Sequence, residues 1–360
     1  MKKILYIVPH RLNRSPGQRF RCEHFIPILQ QEGYETRYAY LLSAWDDTYF
    51  YRQGAYFFKF IVFVKSFFSR LYHVCIARNY DIIFIYREAF MIGTTFFERL
   101  LKHTAVPIIY DFDDSIWLND TSDGNKNLAW LKKTSKTNDI IAMASAVIVG
   151  NEFLAQHARQ FNSNVFVIPT TIDTSYHRME EKPERTSICI GWTGSETTVK
   201  HFMLLEPVLL KIKKKYGDAV SFMLISNKLY ENKELGVRTT FWKAQDEIAQ
   251  LSNIDIGIMP LPNDEWSKGK CGFKGLQYMS MEIPCVMSAV GVNTEIITQG
   301  VNGFLAHNND EWKTYLGMLI EHAELRRKIG KAGRKTVEER YSIDSQKANY
   351  VAIFDSLTKK

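Results

Sequence analysis

The sequence has no CxxC pair, no internal repeat and no low-complexity segment. It also has no run of the ~20 uncharged apolar residues that a bilayer-spanning helix needs. The five cysteines, Cys22, Cys75, Cys189, Cys271 and Cys285, are scattered and odd in number. Neither a disulfide framework nor a zinc site follows from that spacing, and reduced cytosolic thiols are the better reading. The apolar run Ile4–Val8 is too short for a signal peptide and reads as a first strand. Acidic residues are missing altogether between 48 and 80. What is present is globular: 46% hydrophobic and 24% charged residues in a chain of 360, long enough for two domains with real cores. A net charge of +7 favours anionic partners, and no nucleic-acid-binding motif accompanies it.

Strand-like and helical runs alternate through residues 1–175. The strands are expected at Ile4–Val8, Glu35–Tyr40, Ile82–Tyr86, Val106–Tyr110, Ala146–Val149 and Val165–Ile168, with a helix over Cys22–Glu32. A second series starts at Ser187, with strands at 187–192, 220–225, 237–241, 254–259, 285–288 and 303–306 and helices at His201–Lys215 and Lys243–Leu251. Such alternation predicts doubly wound parallel sheets. The polar stretch Asp173–Thr186 is the expected linker, and after Asp310 the chain reads as helical with a break at Tyr341-Ser342. The fold class is α/β, with two Rossmann-like domains facing a central cleft.

The acid-free segment 48–80 departs from this pattern. Between Ala55 and Ala77 it is rich in Phe and Tyr, and Arg52, Lys59, Ser66, Arg70 and His73 fall on one narrow helical stripe. Two readings stay open: a core helix with a solvated basic edge, or a helix lying partly in a bilayer interface with its basic residues at the headgroups.

Lys268–Gly303 reads as glycine loop, helix, strand, glycine turn, helix. Gly269 and Gly272 permit close backbone approach, and a helix is expected to start near Phe273, where amide N–H groups and the positive dipole end suit a phosphate. Lys268, Lys270 and Lys274 crowd that end. The helix must stop before Pro284, and Thr294 is placed to cap the helix holding Glu295. An anion half-site at the carboxyl end of a parallel strand and an ordinary βα unit fit this stretch equally.

With both halves considered, the chain resembles the retaining GT-B glycosyltransferases, specifically the large family four (group 1). The resemblance rests on Asn151 with its helix and Val167–Asp173, on Leu276–Pro284, on Gly291–Glu295 and on Gly330–Tyr341. Asp111-Phe112-Asp113-Asp114-Ser115-Ile116-Trp117, Gly191–Ser195 and Lys270–Met279 are similar to a subset found in capsule and O-antigen loci. The resemblance implies domains at 1–175 (acceptor side) and 176–340 (nucleotide-sugar side), with a 341–360 helix crossing back to the first. The chain departs from the family in its glutamate pair, which falls on Gly269 and Gln277. Trp192 takes a usual arginine position, Lys200 lies slightly beyond the usual lysine, and Glu282 replaces a glycine.

Transfer from a nucleotide sugar needs cations and amide N–H groups against the charge building on the departing diphosphate. Lys270 and Lys274 are the candidates for that catalytic role, together with Asp113 as a contact to sugar. Diphosphate binding falls to Gly17, Thr193, Gly194, Ser195, Lys200, Gly272, Phe273 and Lys274. Nucleoside binding falls to Trp242, Glu247 and Gln277. Sugar and acceptor contacts fall to Arg19, Arg21, Arg87, Asp113, Asp114 and Asn151, with Asp111 as a structural partner for an arginine. No metal or resident cofactor is expected, the nucleotide diphosphate sugar being a co-substrate.

The activity this implies is metal-independent, retaining transfer to a growing surface polysaccharide or lipid-linked glycan of the capsule or lipopolysaccharide kind. The protein is then cytoplasmic, with residues 48–80 as a contact to the inner face of the membrane. A sugar-nucleotide epimerase and a non-catalytic nucleotide-sugar or glycan-binding subunit are the alternatives.

Overall fold

The computed structural model describes residues 1–118, 133, 135–180 and 186–358. The chain divides into two compact units: Met1–Thr171 with Gln346–Lys360, and Ile172–Ser345. Within the expected linker, residues 181–185 lie outside the described residues.

Unit 1 is built on the strands β1 (Lys2–His10), β2 (Tyr34–Leu42), β3 (Ile82–Tyr86), β4 (Ile108–Phe112), β5 (Ala146–Val149) and β6 (Val165–Val167). They form one sheet in the order β2-β1-β3-β4-β5-β6, every pair parallel. Ile4–Val8 and Ile82–Tyr86 are buried at every position, so these runs have no polar face to give to water. Parallel pairing with both faces covered is the sheet that accepts them. The order reverses at β1, which has β2 on one side and β3 on the other, so a ligand crevice belongs beyond the carboxyl ends of β1 and β3. The helix Ile343–Thr358 closes this unit, with Tyr350 stacked on Phe25 at 3.9 Å between centroids and the Tyr34 hydroxyl donating to Asp355 at 2.6 Å.

Unit 2 contains β7 (Ile188–Thr193), β8 (Val220–Ser226), β9 (Arg238–Phe241), β10 (Ile256–Met259), β11 (Cys285–Ser288) and β12 (Phe304–Ala306). Their order is β12-β11-β10-β7-β8-β9, again all parallel. The switch point lies between β7 and β10. Trp192, Phe202, Leu209, Ile256 and Leu316 belong to its buried core. The α/β class, two parallel-sheet domains of six strands each, is as the sequence led us to expect.

Local differences have local causes. The expected helix His201–Lys215 is two helices, Val199–Met203 and Glu206–Tyr216, because Pro207 sits in the first turn of the second, where its missing N–H does no harm. Thr294 does not cap: its hydroxyl donates to the Gly291 carbonyl at 2.8 Å, and the helix Asn293–Ile296 has no side-chain cap. The helices after Asn308 break at His322 as well as at Tyr341.

The largest departure is the helix Tyr56–Ile76. From Lys59 to His73 the basic stripe points inward, so it is neither a solvated edge nor a row of headgroup contacts, while Arg52, before the helix, is exposed. Lys59, Ser66, Arg70 and His73 are buried, and the Arg70 guanidinium donates to the carbonyls of Ala89 (2.7 Å), Ala39 (3.0 Å) and Val8 (3.2 Å). The phenylalanines point outward: Phe57 is 70% exposed and Phe60 and Phe68 64% each. By length and composition alone the helix could cross a membrane, yet its polar side is spent on the unit 1 sheet.

Candidate functional site

In unit 2 the candidate anion site is assembled at the switch point. β7 ends at Thr193, whose N–H donates to the Tyr278 hydroxyl at 2.9 Å. Gly194 follows, its N–H donating to Ile225. A Cβ on Gly194 would stand 2.3 Å from the Trp192 ring, so only glycine lets the strand end pass over that buried indole. The helix Phe273–Ser280 starts after Gly272, which holds φ +68° as only glycine does easily. Its first turn sets the positive end of the helix dipole beside Lys274.

The Lys274 ammonium lies 5.3 Å from the Trp192 ring centroid and the Lys270 ammonium 5.3 Å from that of Trp266. Trp192, in the position where the resemblance led us to look for an arginine, is thus the floor under a lysine. Lys200 is exposed on the neighbouring helix. Lys268 pairs with Glu265 at 2.6 Å. Ser195 bonds within its own turn, to Thr197 at 3.0 Å.

Buried beside this cluster is His201, which the sequence reading passed over. Burial pushes its imidazole down to about 4, and Lys274, Lys270 and Lys200 push the same way against Asp264 alone. Burial first, and the positive charge of the three lysines second, keep this histidine neutral.

Trp242, Glu247 and Gln277 also come together in unit 2. The Trp242 indole N–H and the Gln277 amide both donate to Glu247 Oε1 at 3.3 Å, and His177 Nε2 lies 4.0 Å from Glu247 Oε2. The carboxylate absent from position 277 is therefore present at its side, contributed by the helix Glu247–Ser252.

In unit 1, Arg87 follows β3 in the left-handed region at φ +60°. Its guanidinium donates to Asp113 Oδ1 (2.7 and 3.0 Å) and Asp114 Oδ2 (2.7 Å), and the Tyr86 hydroxyl donates to Asp113 at 2.9 Å. Burial works to raise the Asp113 carboxyl, but Arg87 and Arg21 outweigh it and hold the group below its usual range. Gly17 abuts this cluster, since a Cβ there would meet the Tyr86 hydroxyl at 2.6 Å. The cluster stands at the carboxyl ends of β1, β3 and β4, with Arg87 directly after β3.

Other expected contacts are placed elsewhere. Arg21 does not reach outward: it is buried in a two-pronged pair with Asp111 (3.1 and 2.7 Å) and also donates to the Ile168 carbonyl. Burial raises the Asp111 carboxyl to about 6 while Arg21 pulls it down. Asn151 is a helix cap, its side-chain oxygen accepting from the Leu154 N–H at 2.9 Å. Arg19 lies over the Phe20 ring at 4.4 Å. The two aspartates of Asp111-Phe112-Asp113 thus face arginines, and no group of three or more metal-ligating side chains occurs among the described residues.

Residues 184–322 match the family described as "Glycosyl transferases group 1". An N-acetyl-alpha-D-glucosaminyl L-malate synthase from Bacillus anthracis is 26% identical over 140 residues, 38% of this chain and 35% of that one. The chain therefore matches only about a third of that relative's length. A glycosyltransferase of Rickettsia africae superimposes over 100% of this chain and 99% of its own with a TM-score of 0.70 at 14% identity. HepE from Anabaena, solved in complex with UDP and glucose, does so over 99% of this chain and 100% of its own, with a TM-score of 0.67 at 13% identity.

Proposed function

We propose that the chain is a glycosyltransferase that moves a sugar from a nucleotide diphosphate sugar to a glycan acceptor. The observation that carries this is the placing of Lys274, on the first turn of the helix Phe273–Ser280 after Gly272, over the Trp192 ring near the end of β7, within the stretch that matches the group 1 family. On this reading Lys274 and Lys270 stabilise the charge on the departing diphosphate, assisted by the Gly272 and Phe273 amides and the Thr193-Gly194-Ser195 turn. Glu247, aligned by Trp242 and Gln277, receives the ribose hydroxyls. In unit 1, Asp113 and Asp114 with Arg87 are the sugar and acceptor contacts.

The transfer is retaining and metal-independent. The acceptor oxygen bonds to the anomeric carbon on the face the diphosphate leaves, and its proton passes to the leaving phosphate. Capture of Asp111 and Asp113 by arginines favours side-chain cations over a metal bridge. The acceptor is a surface or lipid-linked glycan of the capsule or lipopolysaccharide kind. The protein works in the cytoplasm, with residues 48–80 against the inner face of the membrane.

A thermal-shift screen against nucleoside diphosphates and their sugars tests the donor site. A matching nucleotide at a hundred times its Kd stabilises the fold by about 2.7 kcal/mol. Lys274→Ala then lowers kcat/KM by about 10²–10³-fold with an unchanged circular dichroism spectrum. A protein that neither binds nor cleaves any nucleotide sugar ends the proposal. Gly269 and Gln277, which leave the family's glutamate positions without carboxylates, favour a binding subunit as the second reading; measurable turnover removes it.

A further inference from the structure

We propose that the outward face of the helix Tyr56–Ile76 is a docking face that lies in the headgroup–acyl boundary of an anionic bilayer. This deepens the membrane contact named above, and it stands or falls separately from the sugar chemistry.

Phe57, Phe60, Ile61, Phe68 and Tyr72 follow one another at helical spacing on one face, and all are exposed. An apolar stripe of this length is unusual on a surface that meets only water. Reversing the helix is not open to the chain, because Arg70 satisfies three buried carbonyls of the sheet side and an unpaired buried carbonyl is costly. The inward side is fixed, so the aromatic side is left for a partner.

Three observations identify that partner as lipid. The ends of the stripe carry the amphipathic aromatics that favour a membrane–water boundary: exposed Trp45, Tyr51 and Tyr56 at one end and Tyr72 at the other, with phenylalanines between. Apart from Asp46, the charges named beside the stripe are positive. Residues 48–80 hold no acid, Arg52 and Arg78 are exposed at the two ends, and Arg37 lies over the Tyr72 ring at 5.5 Å. The one lysine on the outer side, Lys65, is neutralised by Asp46 at 2.8 Å. An open recess of about 350 Å³ flanks the helix, lined by Phe63, Phe67, Phe90, Ile92, Phe96 and Phe97. It offers hydrocarbon a place to enter and a polar peptide little to bond. An amphipathic helix held on a folded domain in this way binds through buried apolar area first and through attraction to anionic lipid second.

The test is co-sedimentation of the full chain with vesicles of phosphatidylglycerol and phosphatidylethanolamine, and with phosphatidylcholine alone. Wild type should pellet with the anionic vesicles, more weakly with the neutral ones, and should keep most of its binding in 0.5 M salt, a concentration that screens surface charge beyond a few ångströms. Phe60→Glu/Phe68→Glu should weaken partitioning at least tenfold, since it withdraws two large apolar side chains from the boundary and adds two charges that anionic lipid repels. Its circular dichroism and melting temperature in buffer should match wild type. Phe57→Ser/Phe60→Ser serves as the milder pair should the charged one fold poorly. Wild type remaining in the supernatant overturns the proposal, as do variants that pellet like wild type. So does a solution dimer that the same substitutions split while vesicles are ignored, which would make the face a contact between copies. Nucleoside diphosphate binding, measured without vesicles, reports on the transferase reading alone.

Discussion

Gly194 shows how little room the proposed donor site leaves for change. Its missing Cβ would fall 2.3 Å from the Trp192 ring and 2.8 Å from the Thr198 hydroxyl, and Trp192 in turn underlies Lys274. Gly194→Ala should therefore cost about 1–3 kcal/mol by overpacking and move the indole from beneath the lysine. Urea melts should show the first effect, and a several-fold rise in KM for the donor the second. Residues of this kind were legible as types and spacings: the glycine, the lysines and the helix start all follow from local sequence. Their partners were not. Arg21 finds Asp111 ninety positions away and Gln277 finds Glu247 thirty positions away, and no local pattern encodes such pairs. His201 carries no motif at all, and only its buried position among three lysines distinguishes it.

At the scale of elements, the inner strands were readable because both sheets are parallel and covered on both faces, so strands such as β1 and β3 carry continuous apolar runs, while the edge strands β2 and β9 are more polar. Helices were less so. Pro207 divided one that periodicity had joined, and the helix Tyr56–Ile76 was read inside out. Charge placed on one face normally marks the side turned to water, but here sheet-side carbonyls outbid the solvent for a guanidinium. This inversion predicts an unusual pair of mutational effects. Arg70→Met leaves the Ala89, Ala39 and Val8 carbonyls without their donor and should destabilise unit 1 by about 3 kcal/mol or more. Phe60→Ser, on the exposed side, should fall within about 0.5 kcal/mol in lipid-free buffer. Urea denaturation of the two variants decides it; equal effects would contradict the inverted orientation.

Over the whole molecule, buried histidines set the response to acid. His10, His73 and His201 are each lowered to about 4, by burial first, with nearby arginines or lysines pushing the same way and, at His10, Asp47 opposing them. An unfolded histidine titrates near 6.5, so between about 6.5 and 4 the unfolded chain binds more protons than the folded one. The stability these groups contribute is present above pH ~6.5 and is lost as pH falls toward 4. Asp111, raised to about 6 by burial, works the opposite way and cancels part of the effect. Unfolding near pH 5 should then take up about two protons in net from these four groups. The slope of unfolding free energy against pH measures this, and His201→Gln should remove about one proton from it. A melting temperature that does not fall between pH 6.5 and 4.5 would refute the assignment.

Unit 1 is assembled from segments that flank the whole of unit 2 in sequence: Gln346–Lys360 rejoins Met1–Thr171, with Tyr350 against Phe25. During synthesis, which runs from the amino end, the first sheet emerges long before the helix that covers it, and the second unit is complete before the first. Domains otherwise tend to fold in the order they leave the ribosome. Here the earlier-born domain waits for its closing helix, and the rings of Phe25 and Phe84, on which Tyr350 and Phe354 come to stack, lack those partners in the interval.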